Sequence, residues 1–333
     1  MVSMTAHRPG VQAVDRVEAL VLVDNVTDQL STNPEDVQSE FAALRGAGLT
    51  TIAGETICSA HHGLSLLITA YGDSGRRTLL FDTGPEGYAI RRNGALLGAD
   101  LGSVGDLVLS HGHWDHCGGT LTALALLGRR RAGSEVTVYG HPAMFRPRGR
   151  RMPDGVVIPF KPIPTSSEMA DAGARVVLTT EPQTLRGAFY LSGEIPRVTA
   201  YEQGLRDHVR RGENGTTWEA DPLILDERFI AVHVRGKGLV VFTGCSHAGV
   251  VNVMTHAQSE APDVPLYAVM GGLHLSGAGP ERVIGDTVRD LSGFGLRRIV
   301  PAHCTGWRAV VALIAAFGES TVVPAAVGKR ITF

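Results

Sequence analysis

Cysteine is scarce in this chain, four residues in 333, and Cys58, Cys117, Cys245 and Cys304 follow no regular spacing. Without paired spacings there is no disulfide framework, and reduced thiols in a cytoplasmic setting are the simpler expectation. Long apolar runs are also missing. Leu121–Leu127 and Val310–Phe317 are among the longest, far below the roughly 20 residues that span a bilayer. Met1–Asp15 is polar and broken by Pro and Gly, unlike the apolar centre and cleavage site of a secretory signal. No charge of one sign dominates, since 31 Lys and Arg face 33 Asp and Glu for a net −2. That balance excludes whole-protein attraction to nucleic acid or to anionic membranes. No Gly-X-Ser-X-Gly elbow and no Gly-Lys-Ser/Thr phosphate loop is present, so neither a serine nucleophile nor a nucleotide cradle is indicated. Glycine, by contrast, is abundant at 41 residues, which suits tight loops built on a rigid sheet.

Short runs of Val, Ile, Leu and Phe predict buried strands at Val17–Val23, Leu64–Thr69, Thr78–Phe81, Leu107–Ser110, Val136–Tyr139 and Arg175–Thr179. Phe189–Leu191, Phe229–Val234, Leu239–Phe242, Leu266–Met270 and Arg298–Val300 continue the series. Helical spacing appears at Pro34–Leu44, with Asn33 as its N-cap, and at Gly119–Leu127, Val250–Ser259, Glu281–Leu291 and Trp307–Phe317. Sheets covered by helices follow, an α/β architecture in one domain over residues 1–333. Gly140–Asp226 lacks a ligand motif and reads as an insertion or cap over the site. Arg129–Arg131 and Arg146–Arg151 read as solvated loops, or alternatively as a rim attracting an anionic substrate.

The informative segment is Leu107-Val-Leu-Ser-His111-Gly-His113-Trp-Asp115-His116-Cys-Gly-Gly119. An apolar strand ends and four metal-ligand side chains arrive before a helix begins. Residues two apart on extended chain face one side, so His111 and His113 can hold one ion together. The turn into the helix re-aims Asp115 and His116 towards a second ion. Leaving these groups buried without a cation would carry a large desolvation cost. His247, His274 and His303 each follow a later apolar strand, at the end of the sheet where α/β proteins commonly bind ligands.

The His-X-His-X-Asp-His run, Phe81-Asp82-Thr83-Gly84 and the strand-borne His303 resemble the metallo-β-lactamase superfamily. A narrower likeness rests on His62-Gly-Leu-Ser65, Ser192-Gly-Glu-Ile-Pro-Arg197, Gly244-Cys-Ser-His-Ala-Gly249, Gly271-Gly-Leu-His-Leu275 and His303-Cys-Thr-Gly306. These resemble the subgroup of 7,8-dihydropterin-6-methyl-4-(β-ribofuranosyl)aminobenzene-5′-phosphate synthase. The resemblance implies a four-layer αββα sandwich holding two divalent ions, zinc-type, with manganese or iron also compatible. It places His111, His113 and His247 on one ion and Asp115, His116 and His303 on the other, with Asp82 orienting a ligand imidazole. One departure stands out: the superfamily hydrolases carry a bridging aspartate in Thr-Gly-Asp, where this chain has Thr243-Gly244-Cys245. Cys245 takes that place, or His247 reaches the ions from two residues further on, or one ion alone binds tightly. His247 is the favoured reading, with Glu194 as a substitute ligand.

Two neighbouring cations would lower the pKa of a bound water to about 7, and the hydroxide left after proton loss would be the nucleophile towards a carbonyl or phosphorus. The expected function is therefore hydrolysis of an ester, lactone or phosphodiester in a small molecule, with no nucleic-acid or membrane partner. Whether the chain forms a homo-oligomer is left open. A metal-dependent synthase or lyase acting on a pterin-like heterocycle is the alternative, and a non-catalytic metal-dependent sensor is the third reading. Asp115 and His274 are the catalytic candidates, His274 as proton donor or oxyanion partner. His62 and Arg197 are candidates for substrate binding, Arg197 as a clamp on carboxylate or phosphate or else in a salt bridge with Glu194 or Glu202. His7, His61, His141, His208, His233 and His256 lack supporting context and read as surface or core residues. Cys117, Cys245 and Cys304 flank ligands and read as small buried thiols.

Overall fold

The computed structural model describes residues 11–128 and 135–333. Arg129–Arg131 and His7 lie outside the described residues. Alternation along each strand decides the layering. In Arg16–Val23 the side chains of Val17, Ala19 and Val21 enter one core while Leu20 and Leu22 enter another. In Gly238–Thr243, Val240 and Phe242 join that first core, and Leu239 and Val241 face a third. Side chains on a strand point alternately to opposite faces, so a strand apolar on both must be covered twice. The first core fills the space between two sheets. The second packs under helices Glu40–Gly46, Gly87–Leu96 and Thr120–Gly128. The third packs under Val250–Glu260, Ile284–Leu291 and Trp307–Phe317. The result is the helix–sheet–sheet–helix sandwich.

One sheet has eight strands in the spatial order Val37–Gln38, Arg330–Thr332, Arg16–Val23, Ser65–Gly72, Gly75–Phe81, Asp106–Val108, Val136–Gly140 and Ala174–Leu178. The other has six, in the order Gln183–Leu185, Phe189–Leu191, Phe229–Val234, Gly238–Thr243, Leu266–Gly272 and Arg298–Ala302. The last four strands of the first sheet are mutually parallel, as are the last three of the second.

The span 140–226 is more divided than a single insertion. It supplies Ala174–Leu178 to the first sheet and two strands to the second. It also holds the helix Ser166–Asp171 and a separate four-stranded antiparallel sheet in the order Trp218–Ala220, His208–Arg211, Arg148–Arg151 and Val157–Pro159. Basic residues that read as a loop are thus partly strand, and Arg148 within them is buried beside Asp221 and Asp226. The helix expected over Pro34–Leu44 begins at Glu40. Ser39 caps it by accepting from the Ala42 amide at 3.2 Å, because Val37–Gln38 pairs as a strand with Arg330–Thr332.

Arg228 fastens the two main sheets together. Its guanidinium is fully buried and donates to the carbonyls of Thr179, Glu181 and Ser192, at 3.0, 2.5 and 2.5 Å. Thr179 follows the edge strand of the first sheet and Ser192 follows a strand of the second. Burial lowers the Arg228 pKa to about 10. Replacing Arg228 with Met keeps much of the volume but leaves three carbonyls unpaired, that of Ser192 buried and those of Thr179 and Glu181 partly so. We expect a loss of about 2–4 kcal/mol in urea unfolding. A change below about 0.5 kcal/mol, the level of an ordinary surface substitution, would mean that those carbonyls find other partners.

Candidate metal centre

Parallel pairing brings several strand ends to one edge of the sandwich. Asp82 follows Gly75–Phe81, the His111–His116 segment follows Asp106–Val108, and Cys245 and His247 follow Gly238–Thr243. His274 follows Leu266–Gly272, and His303 follows Arg298–Ala302. Sharp turns aim these side chains inward. Asp82, Ser246, His274 and His303 have positive φ of 59°, 58°, 45° and 48°, each costing about 1–3 kcal/mol for a residue other than glycine. Gly112 must be glycine for a different reason, because a Cβ there would lie 2.0 Å from the Met144 carbonyl oxygen.

His111 Nε2 lies 2.9 Å from His113 Nδ1 and 3.1 Å from His247 Nε2. Each neutral imidazole has one lone pair to give, and a cation amid three converging nitrogens would accept one from each. Ligands about 2.0–2.1 Å from a tetrahedral zinc stand about 3.3 Å apart, slightly wider than these separations. His113 Nε2 and His247 Nδ1, on the far sides of their rings, are buried without a hydrogen-bond partner. The donor set therefore fits a divalent ion held by His111, His113 and His247.

A second collection adjoins it. Asp115 Oδ2 is 3.3 Å from His303 Nε2 and 3.5 Å from His62 Nε2, a group able to hold an ion. His116 stands beside that group: its Nε2 meets Cys245 Sγ at 3.0 Å, its ring centre is 5.0 Å from that of His303, and with His111 and Cys245 it forms a further group able to hold an ion. Cys245 belongs to groups with His111 and His116, with His247 and His274, and with His303 and Cys304. It therefore stands between the two collections.

Burial, then the charges of neighbouring imidazoles, push His111, His113 and His247 well below the ordinary imidazole range. They are neutral and ready to donate lone pairs. His116 behaves oppositely. Burial opposes its charge, but the Asp82 carboxylate 2.6 Å from Nδ1 and the charge of Asp115 raise its pKa to about 9. Asp115 resists burial through His116 and His303 and is held well below the usual carboxylate value.

Residues 60–185 match the family model described as the metallo-β-lactamase superfamily. Over that span the chain resembles the superfamily. It is 29% identical over 252 residues to the 7,8-dihydropterin-6-methyl-4-(β-D-ribofuranosyl)-aminobenzene-5′-phosphate synthase of Methanocaldococcus jannaschii, covering 75% of this chain and 83% of that protein. An uncharacterized protein of the same archaeon is 27% identical over 256 residues, covering 76% and 88%. Among solved structures, a metal-dependent hydrolase of the β-lactamase superfamily aligns over 95% of this chain and 98% of its own, with a TM-score of 0.68 and 23% identity. Unliganded yeast PDE1 aligns over 97% and 100%, with a TM-score of 0.53 and 11% identity. Both show the shared metallo-β-lactamase fold.

Within that fold, Cys245 occupies the position after Thr243-Gly244 and has its thiol among the imidazoles. Glu194 does not join them. Its carboxylate is half-exposed and meets His141 Nε2 at 3.1 Å. Asp82 accepts from the Ser110 amide and hydroxyl, both at 2.7 Å, and from His116. His62 is exposed on the open side, its ring 4.9 Å from that of His303. His274 lies 4.5 Å from His247 between ring centres, with its Nδ1 buried and unpartnered. Arg197 makes no salt bridge with Glu194 or Glu202 among the described residues; it donates from Nη1 to the Ile195 carbonyl at 2.7 Å and from Nη2 to that of Leu223, while its buried Nε has no partner.

Sequence reasoning missed His208. The separate four-stranded sheet delivers it, 95% buried, against His113 at 4.7 Å between ring centres, with Phe160 5.3 Å away. It sits in a polar strand with no motif around it, so only the fold reveals its place. Burial and the charge of Arg148 lower its pKa to about 4 from an ordinary 6.5. Between those values the unfolded chain binds a proton that the folded chain does not. This contribution to stability is complete above pH 6.5 and is lost as pH falls towards 4. In metal-free protein, His208→Gln should flatten the decline of the urea midpoint across that window by about one proton. Identical slopes for the two proteins would show that His208 titrates normally.

Proposed function

We propose that the chain is a metal-dependent hydrolase that cleaves an ester, lactone or phosphodiester bond of a small molecule at this centre. The observation that carries the reading is the convergence of the His111, His113 and His247 nitrogens beside the group Asp115, His303 and His62. His111, His113 and His247 would hold one divalent ion, and Asp115 and His303 the other, with Cys245 between them. When bound, the ions supply Lewis acidity and bring a water's pKa to about 7. Zinc suits this mixture of imidazole, carboxylate and thiol.

The chain's own groups divide the remaining work. Asp115 is ionised and faces both His303 and His62, which fixes the direction of each ring. His62, the exposed member, meets the substrate at the open side. Burial opposes charge on His274, but nearby Cys304 and Glu227 raise its pKa, so it can carry a proton towards a leaving group beside His247. His208 and Phe160 form an amphipathic wall beside His113. A second reading, a synthase or lyase acting on a heterocycle, draws on the synthase relative, with 75% of this chain aligned.

Protein loaded with zinc or manganese should turn over bis-(p-nitrophenyl) phosphate or a member of a lactone panel. His111→Ala should lower that rate more than about 100-fold, beyond the loss of an outer partner. Binding of metal with no turnover on any of these favours a sensor, and a new product mass from candidate heterocycles favours the synthase. A second outcome concerns Cys245. Replacing it with Asp exchanges a soft donor for a hard one, so competition binding should shift from zinc towards manganese. An unchanged preference would place the thiol outside the coordination.

A further inference from the structure

Two adjacent carboxylates outside every candidate ligand group hold the loops of the imidazole triad from behind. Asp226 and Glu227 are each 99% buried, just before strand Phe229–Val234. Asp226 Oδ2 accepts from the Gly112 amide at 2.7 Å, the peptide between His111 and His113. Glu227 accepts from the amides of His247 and Ala248 at 2.8 and 2.7 Å, one on each oxygen. The next residue completes the grip, for the Arg228 amide donates to the Ser110 carbonyl at 2.9 Å. Three consecutive residues thus touch both segments that carry His111, His113 and His247.

Arg148 of the separate four-stranded sheet pairs with Asp226 and with Asp221. Removing a carboxylate from water costs several kcal/mol unless it is well compensated. Asp226 has this ion pair, whereas the hydrogen bonds to Glu227 come from the loop amides alone among the described residues. Loops fixed through main-chain N–H groups keep their spacing whatever rotamers their side chains adopt. The other collection is held by a different carboxylate, since Asp24 accepts from the His303 amide at 3.0 Å.

We propose that Asp226 and Glu227 are positioning residues for the triad, setting the distance between the His111–His113 loop and His247 and hence the affinity of one ion. Asp24 does the same for the Asp115 and His303 side. This rests on the reading that the centre holds metal.

The test is zinc affinity by chelator competition, with cobalt(II) absorption spectra as a second readout, on the full chain. Glu227→Gln keeps the shape but turns a donor towards an amide. It should weaken one ion by about 10–100-fold, the usual cost of losing an outer partner, and alter the cobalt spectrum while the other ion binds as in the wild type. Asp24→Asn should weaken the other ion. Asp226→Asn carries the same test on the second loop should Glu227→Gln fail to fold. Wild-type affinity for both ions in a folded variant, or equal weakening of both, overturns the positioning role and leaves the functional reading standing. A wild-type protein that binds no ion overturns both.

Discussion

Three imidazoles buried side by side lose contact with solvent and disfavour one another's protonation, so the loops that bring them together need independent restraint. In this chain the restraint is a set of buried carboxylates bonded to main-chain amides: Asp82 on Ser110, Asp226 on Gly112, Glu227 on His247 and Ala248, and Asp24 on His303. A charged acceptor makes a hydrogen bond roughly twice as strong as a neutral one. It also places negative charge just behind ligands that carry none of their own. The arrangement explains why so many acids are hidden near a centre whose ligands are mostly neutral.

The scaffold makes this geometry affordable. Parallel strands buried on both faces end together at one edge, and the apolar side chains of both sheets interlock beneath the loops. Strained residues at the rim, Asp82, Ser246, His274 and His303 among them, are tolerated because the strands before them are locked. Arg228 adds a cross-tie from one sheet to the other, and the same residue's amide reaches Ser110. Sheet packing and loop restraint therefore meet in residues 226–228.

The fold was readable in the sequence wherever apolar alternation persists. Phe229–Val234, Phe189–Leu191 and Trp307–Phe317 lie within the bounds that their side chains suggest. The antiparallel strands carrying Arg148 and His208 were not readable, since their residues are polar and their pairing is with each other. The cluster from His111 to His116 announces itself because its ligands are crowded into one turn, and His247 and His303 do so by following strands. Asp226 and Glu227 give no such signal, for their partners are backbone groups that no residue type marks. Arg197 looked like an anion clamp, and nothing in its neighbours' identity indicates that two carbonyls occupy its fork. Helix Glu40–Gly46 starts late because the strand bearing Ile331, nearly three hundred residues away, claims Val37.

The small four-stranded sheet has an inner pair of strands and an outer pair. His208 and Arg148, its links to the centre, both lie on the inner pair, while Val157–Pro159 and Trp218–Ala220 form its two borders. Exposed Ile158 belongs to one of those borders, and exposed Val156 directly precedes it. Substitutions along the borders can therefore change the outer strands of this sheet while the inner pair keeps its hold on the centre.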